Sequence, residues 1–251
     1  RNIHENMSDI KAQIASNQRG VELLGKENLN QVLLHMQAIM QVSAKSVATT
    51  LKSIASKKGN TLYGRDFMDD GTQIGLEITI DPDSGSAQFD FSKTDPQSIG
   101  NQNTPISITA SAVVYALRCL IDEDLPLNGG FMQNITIVHK RGTLLNPRED
   151  AAVVGGNVTT SQRIVDVILQ AFGGVAASCG CMNNFSFGNE SFGYYETIAG
   201  GSGAGIDKNG KGFDGASAVH THMTNTKITD PEVLERRYPV ILREFSIRKG
   251  S

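Results

Sequence analysis

Apolar residues recur along the first quarter of the chain at helical spacing. Ile3, Met7, Ile10 and Ile14 follow one another at steps of four and three, which sets them on one stripe of a helix. The pattern resumes after Gly20 with Val32, Leu33, Met36, Ile39, Met40, Val47, Leu51 and Ile54, and Gly59-Asn60 stops it. Two helices joined by a polar loop are expected. The period then changes to two. Ile74, Leu76, Ile78 and Ile80 alternate with other residues, the turn cluster Asp81-Pro82-Asp83-Ser84-Gly85 follows, and Ala87, Phe89 and Phe91 alternate again. This pattern predicts a β-hairpin.

Apolar spacing predicts further helices over 108–121 and 158–172, and a short strand at Ile135–Val138. The stretch 173–216, rich in Gly, Asn and Ser, offers one strand, Tyr194–Ala199. Asp230-Pro231 reads as an N-cap followed by proline in the first turn, opening a helix through about Leu242. A last strand is expected at Phe245–Arg248. With no internal repeat and no low-complexity linker, the expectation is α+β: mixed sheets with a helical N-terminal segment, 1–58, and a body, 59–251, in a single continuous unit.

Composition narrows the function classes. The 251 residues are 39% hydrophobic and 20% charged, ordinary values for a soluble domain. A net charge of −3 and only short basic pairs, such as Lys57-Lys58 and Lys140-Arg141, give no electrostatic footprint for nucleic acid. No apolar stretch approaches the roughly 20 residues that span a bilayer. Arg1 to Lys11 lack the apolar core of a secretory signal, and the chain opens in mid-pattern, as though cut from something longer. Three cysteines, Cys119, Cys179 and Cys181, suit a reducing compartment, so a cytoplasmic setting is expected.

Several clusters carry candidate chemistry, each beside a plainer structural reading. Gly200 to Gly205 follows a predicted strand but places Ile206 where the third glycine of a dinucleotide fingerprint belongs. Gly205 to Gly212 misses a P-loop by one residue, since Gly212 stands where a magnesium-binding Ser or Thr is required. The glycines alone can still offer a nest of backbone N–H groups to an anion, but a flexible or tightly turning loop is the favoured reading. In a strand, His220 and His222 would point to one side, as metal ligands or a general base, or as histidines bonded inside a sheet. Asn157-Val158-Thr159-Thr160-Ser161-Gln162-Arg163 sits at a helix start, where free N–H groups and a guanidinium favour an anion; capping by Thr159 or Thr160 is the alternative. Tyr194-Tyr195-Glu196-Thr197 can set an acid and a phenol into a cleft, and a salt bridge from Glu196 to Arg236 or Arg237 explains it equally. Cys179-Gly180-Cys181 lacks a second pair and reads as structural.

Six segments together point to a family. They are Asp124–Gly130, Ala152–Arg163, Gly193–Thr197, Gly200–Gly205, Ala218–Asn225 and Glu235–Pro239, joined by the opening Asp9–Ile14. They resemble the hydantoinase B family, and the run from Asp214 to Arg248 is most similar to its eukaryotic (fungal-style) ATP-dependent 5-oxoprolinase branch. The resemblance implies ATP-driven opening of a five-membered lactam, 5-oxo-L-proline, to L-glutamate, within glutathione turnover. It implies that ATP and Mg bind outside this chain, on an actin-like hydantoinase A-type region, and that the enzyme is a homodimer. It also implies that the chain is part of a hydantoinase B-type domain, truncated at both ends and inactive alone. The segments carry over Glu196, His220 and His222 as catalytic candidates, and Asn157, Ser161, Arg163 and Asn225 as substrate-binding candidates. A hydantoin amidohydrolase, a ketone carboxylase subunit and a non-catalytic scaffold are the rival expectations.

Overall fold

The computed structural model describes residues 3–26, 28–207, 210–224 and 226–247. Asn225, proposed above to bind substrate, lies outside them. Two helices, α1 (Ile3–Leu24) and α2 (Leu29–Lys58), open the chain as the apolar spacing predicts. They are separated at Gly25–Asn28, and Asn28 caps α2 by accepting from the Gln31 N–H. Three strands follow: β1 (Thr61–Phe67), β2 (Gln73–Ile80) and β3 (Ala87–Asp90). Then come α3 (Ile106–Leu120), β4 (Ile135–Val138) and α4 (Thr160–Phe172).

The strands form one sheet in the order β1-β2-β3-β4, antiparallel except for the parallel pair β3-β4. The hairpin β2-β3 pairs Ile78 with Phe89 and Ile80 with Ala87, as the alternation demands. Its turn is held by Asp81, which accepts from the backbone of Asp83 and Ser84, while Gly85 takes φ +74° against the backbone of Ala48. One sheet face presents Ile74, Leu76, Ile78, Ile80, Phe89 and Phe91 to the second half of α2, to α3 and to α4, and these side chains build a single core. The opposite face carries polar groups such as Glu77, which pairs with Lys93.

Helix α4 is the centre of this core. Ile164, Val165, Val167, Ile168 and Leu169 are buried, and so are the polar Thr160, Gln162 and Asp166. Its C-terminal carbonyls are covered twice: Gly173 in the left-handed region turns its N–H onto Leu169 and Gln170, and the Lys58 ammonium donates to Phe172 and Gly173.

After α4 the chain makes small two-stranded sheets: β5 (Asn184–Gly188) with β6 (Gly193–Thr197), β7 (Gly201–Ser202) with β10 (Ala216–Ser217), and β8 (Gly205–Ile206) with β9 (Gly212–Phe213). The single strand expected over 173–216 is therefore one of several. Short strands separated by glycines have too few positions to show a period of two. Helix α5 (Pro231–Arg237) starts at the expected Asp230 cap but ends five residues before Leu242. Tyr238 is extended ahead of Pro239, as the residue before a proline prefers. Residues 241–247 form no strand, and Arg248 lies outside the described residues.

Candidate functional site

The polar edge of α4 gathers the chemistry. Arg163, Asp166 and Gln170 are three and four residues apart and share one side of the helix. That side faces β1 and the loop 174–183. Along β1, Leu62, Gly64 and Asp66 point inward, and Gly64 leaves no side chain between strand and helix: a β-carbon there would stand 2.2 Å from the Val167 carbonyl oxygen. This close approach lets Gln170 accept the Arg65 N–H at 2.7 Å and brings the Arg163 guanidinium to 2.8 Å from the Asp66 carboxylate. Gly180, at φ +67°, lies flat on the guanidinium, where any side chain would collide with it.

Beside Arg163 opens a cleft of about 370 Å³, lined by Met68, Asp69, Asp70, Gln102, Thr159 and the 179–181 segment. Asp66, Asp69 and Asp70 outnumber its one guanidinium, so an anionic ligand here needs Arg163 released from Asp66. The thiols of Cys179 and Cys181 flank the cleft, and both accept N–H groups of Asn183, itself at φ +56°. Thr159 stands at the N-cap of α4 without a capping hydrogen bond from its side chain, and the Thr160 hydroxyl donates to the Gln102 carbonyl. Ser161 donates back to the Asn157 carbonyl at 2.8 Å, and Asn157 is exposed.

Further along the same edge stands a network that the sequence concealed. His222 Nε2 lies 3.3 Å from Asp166 Oδ1, with the two side chains only 8% and 3% exposed. Asp166 also accepts the Ser178 N–H and hydroxyl, both at 3.0 Å. On the other side of the imidazole, Nδ1 is 3.2 Å from the Tyr115 hydroxyl, whose ring meets His222 edge-on. With Asp166 able only to accept, a neutral His222 carries its proton on Nε2 and offers Nδ1 to the Tyr115 O–H. Burial first, and Cys119 after it, push the Tyr115 phenol up to about 12, so it keeps its proton at neutral pH.

The pairing of His220 with His222 expected from a strand is not formed. β10 ends at Ser217, and positive φ at Ala218 (58°) and His222 (62°) winds the following loop, so the strand that would have set both imidazoles on one side is absent. Glu196 and a phenol do come together, and the phenol is Tyr194 rather than Tyr195. Tyr194 donates to one carboxylate oxygen of Glu196 and the Thr229 N–H to the other; no salt bridge to Arg236 or Arg237 forms. Desolvation raises the Glu196 carboxyl, but these hydrogen bonds outweigh it and hold the group below its usual range. Parts of the glycine run approach other groups closely: a β-carbon on Gly203 would meet the Ala176 carbonyl oxygen at 2.1 Å, and one on Gly205 the Phe213 ring at 2.5 Å. Gly200, Gly201 and Ser202 instead border an open cavity of about 450 Å³ shared with Gly215–Ser217. Among the described residues, no group of three or more His, Cys, Asp or Glu side chains is placed to hold a metal ion, and no helix is long and apolar enough to cross a membrane.

The fold of this α+β unit has counterparts among solved structures. The fold matches an ATP-dependent caprolactamase from Pseudomonas jessenii with a TM-score of 0.71 at 19% identity, over 98% of this chain and 45% of that one. It also matches acetone carboxylase with a TM-score of 0.62 at 14% identity, over 86% of this chain and 32% of the other. The family model for hydantoinase B/oxoprolinase matches residues 1–251, and the chain belongs to that family. It is 48% identical over 266 residues to 5-oxoprolinase 1 of Arabidopsis thaliana and 49% identical over 269 residues to a 5-oxoprolinase of Saccharomyces cerevisiae. All of this chain is covered in both alignments, against 21% of either relative. The chain thus spans about a fifth of the length of these curated relatives.

Proposed function

We propose that this chain is the lactam-handling part of an enzyme that hydrolyses 5-oxo-L-proline to L-glutamate at the expense of ATP. The observation that carries the reading is 48–49% identity across the whole chain to proteins named 5-oxoprolinase. A lactam is a stabilised amide, and phosphorylating its oxygen makes the carbonyl carbon open to water. On this reading ATP and Mg bind to an actin-like hydantoinase A-type region, and residues 1–251, helical over 1–58 and mixed over 59–251, belong to a longer hydantoinase B-type domain. The incomplete phosphate fingerprints over 200–212 support a nucleotide site elsewhere. The enzyme acts in the cytoplasm as a homodimer, in glutathione turnover, and this chain alone is inactive.

Of the catalytic candidates, the reading rests on His222, which is held between two partners, whereas both oxygens of Glu196 are engaged. Arg163 is the candidate for the substrate carboxylate or a phosphate, with Asn157 and Ser161 near its helix start. The test is the full-length protein assayed with ATP against 5-oxo-L-proline, hydantoin and acetone. Glutamate and phosphate formed only with 5-oxo-L-proline is the expected result; turnover of hydantoin or acetone instead overturns it. Arg163→Ala should raise KM for 5-oxo-L-proline at least ~10-fold, the loss of about 1.4 kcal/mol of binding, and an unchanged KM removes Arg163 from the site.

A second reading, a scaffold on which other parts of the enzyme dock, is favoured by α1. Ile3, Met7, Ile10 and Ile14 are all exposed along it. Retained activity of a full-length protein lacking residues 150–240 would favour that reading.

A further inference from the structure

We propose that Tyr115 is the reacting end of a Tyr115–His222–Asp166 proton relay that serves cleavage of the lactam C–N bond. The inference rests on the lactam-hydrolase reading above and names the group that moves the proton in it.

Four separate segments converge on this network: Tyr115 from α3, Asp166 from α4, Ser178 from the loop after α4, and His222 from the loop after β10. Asp166 receives three donors, namely the imidazole and both donors of Ser178, so its orientation is fixed from two sides. His222 is held at φ +62°, a left-handed conformation that a non-glycine residue keeps only where surrounding contacts over-determine it. The imidazole therefore has one tautomer and one direction: Nε2–H toward Asp166, the Nδ1 lone pair toward the Tyr115 hydroxyl. This is the logic of a nucleophile–histidine–acid triad with a phenol in the first place. The Asp166 and His222 side chains are enclosed, whereas Tyr115, whose oxygen also neighbours the Cys119 side chain and the His222 backbone, keeps 39% of its surface exposed, so of the three Tyr115 is the member that reaches solvent.

The proton route closes on itself. As water adds to the activated carbonyl carbon, its oxygen forms the new C–O bond and its proton passes to the Tyr115 oxygen, while the phenolic proton moves to Nδ1 of His222. The imidazolium so formed is stabilised by Asp166. When the C–N bond breaks, the electron pair leaves with nitrogen, which takes a proton from Tyr115 as Nδ1 returns its own. The remaining proton of the added water follows onto the amine as its oxygen becomes the carbonyl of an acyl phosphate, a second water hydrolyses that acyl phosphate to carboxylate and free phosphate, and the relay is restored. The high affinity of the phenol for its proton explains why it needs His222 at all. Tyr115 is the catalytic residue here; His222 and Asp166 act through it.

A pin that merely holds four segments together would lose stability when cut, and activity with it. The relay would lose turnover alone. In the full-length protein with saturating ATP, Tyr115→Phe removes the transferable proton and keeps the ring. Asp166→Asn keeps the shape, with its amide oxygen before Nε2 and the Ser178 N–H and its NH2 facing the Ser178 hydroxyl, but removes the negative charge that stabilises the imidazolium. Each variant is expected to lower kcat for glutamate formation at least ~100-fold, with KM for 5-oxo-L-proline within about threefold and the thermal midpoint within a few degrees of wild type. A Tyr115→Phe enzyme with kcat within about threefold of wild type, or one impaired only through KM, overturns the relay. If either variant fails to fold, the other decides by the same criteria. If the wild-type protein forms no glutamate from 5-oxo-L-proline, the lactam-hydrolase reading fails first; a competent wild type with competent variants rejects the relay alone.

Discussion

At Gly64 a single methyl group decides whether the α4 seam can form. The β-carbon of an alanine there would stand 2.2 Å from a backbone oxygen that cannot swing aside. Gly64→Ala should therefore destabilise the fold by about 1–3 kcal/mol, with the Arg163–Asp66 pair drawn apart; a denaturation midpoint equal to wild type would show that the strand and helix can yield. His139 presents the opposite case. Both ring nitrogens are buried without a hydrogen-bond partner, the ring stacks on Phe91 at 6.0 Å, and desolvation depresses its pKa. Its folded form resists protonation, so stability is full above its unfolded value near 6.5 and is lost as pH falls through the depressed one. His139→Phe should raise stability by about 1 kcal/mol and remove that part of the acid sensitivity, read from thermal midpoints between pH 5 and 8. Arg163 and His222 could be singled out from their polar surroundings in the sequence. Their partners Asp66, Asp166, Tyr115 and Ser178 could not, because an Asp inside an apolar helix or a Tyr among alanines and valines carries no local mark of function.

Among the elements, those with long repeats were legible and the short ones were not. α2, the β2-β3 hairpin, α3 and α4 each bury enough positions for a period to show. β1 went unread because two of its inward positions are Gly64 and Asp66, which erase the apolar alternation. The small sheets after α4 are joined through glycines whose contacts are distant in sequence, such as Gly203 against Ala176. Glu196 now has an element-scale role: it ties β6 to the residue preceding the α5 cap. Because its folded carboxyl sits below the usual 4.5, it stabilises the fold above that pH, and the contribution fades as pH falls through the depressed value. Wild type should therefore exceed Glu196→Gln in thermal midpoint at pH 7, with the gap closing below pH 4.5. A gap that does not change with pH would show that the carboxylate charge plays no part.

Across the whole molecule, stability is concentrated in one place. α4 contributes seven apolar residues to the core, whereas no described residue of α1 is buried. Amide exchange should therefore be slowest in α4 and fastest in α1; equal protection of the two helices would show that α1 is covered in solution. The sequence by itself determined the helices and strands whose hydrophobic period runs over many residues, the α+β class, and, through its motifs, the family. Periodicity is local, and a dozen consecutive residues suffice to express it. Only the tertiary structure decided which polar groups meet. The Tyr115–His222–Asp166–Ser178 network joins residues up to 107 positions apart. It depends on helix α4 lying close to β1 and on a left-handed turn in a loop. Nothing in one segment of sequence states what another segment will bring to it, and a short polar contact becomes specific only after the apolar core has fixed both of its ends.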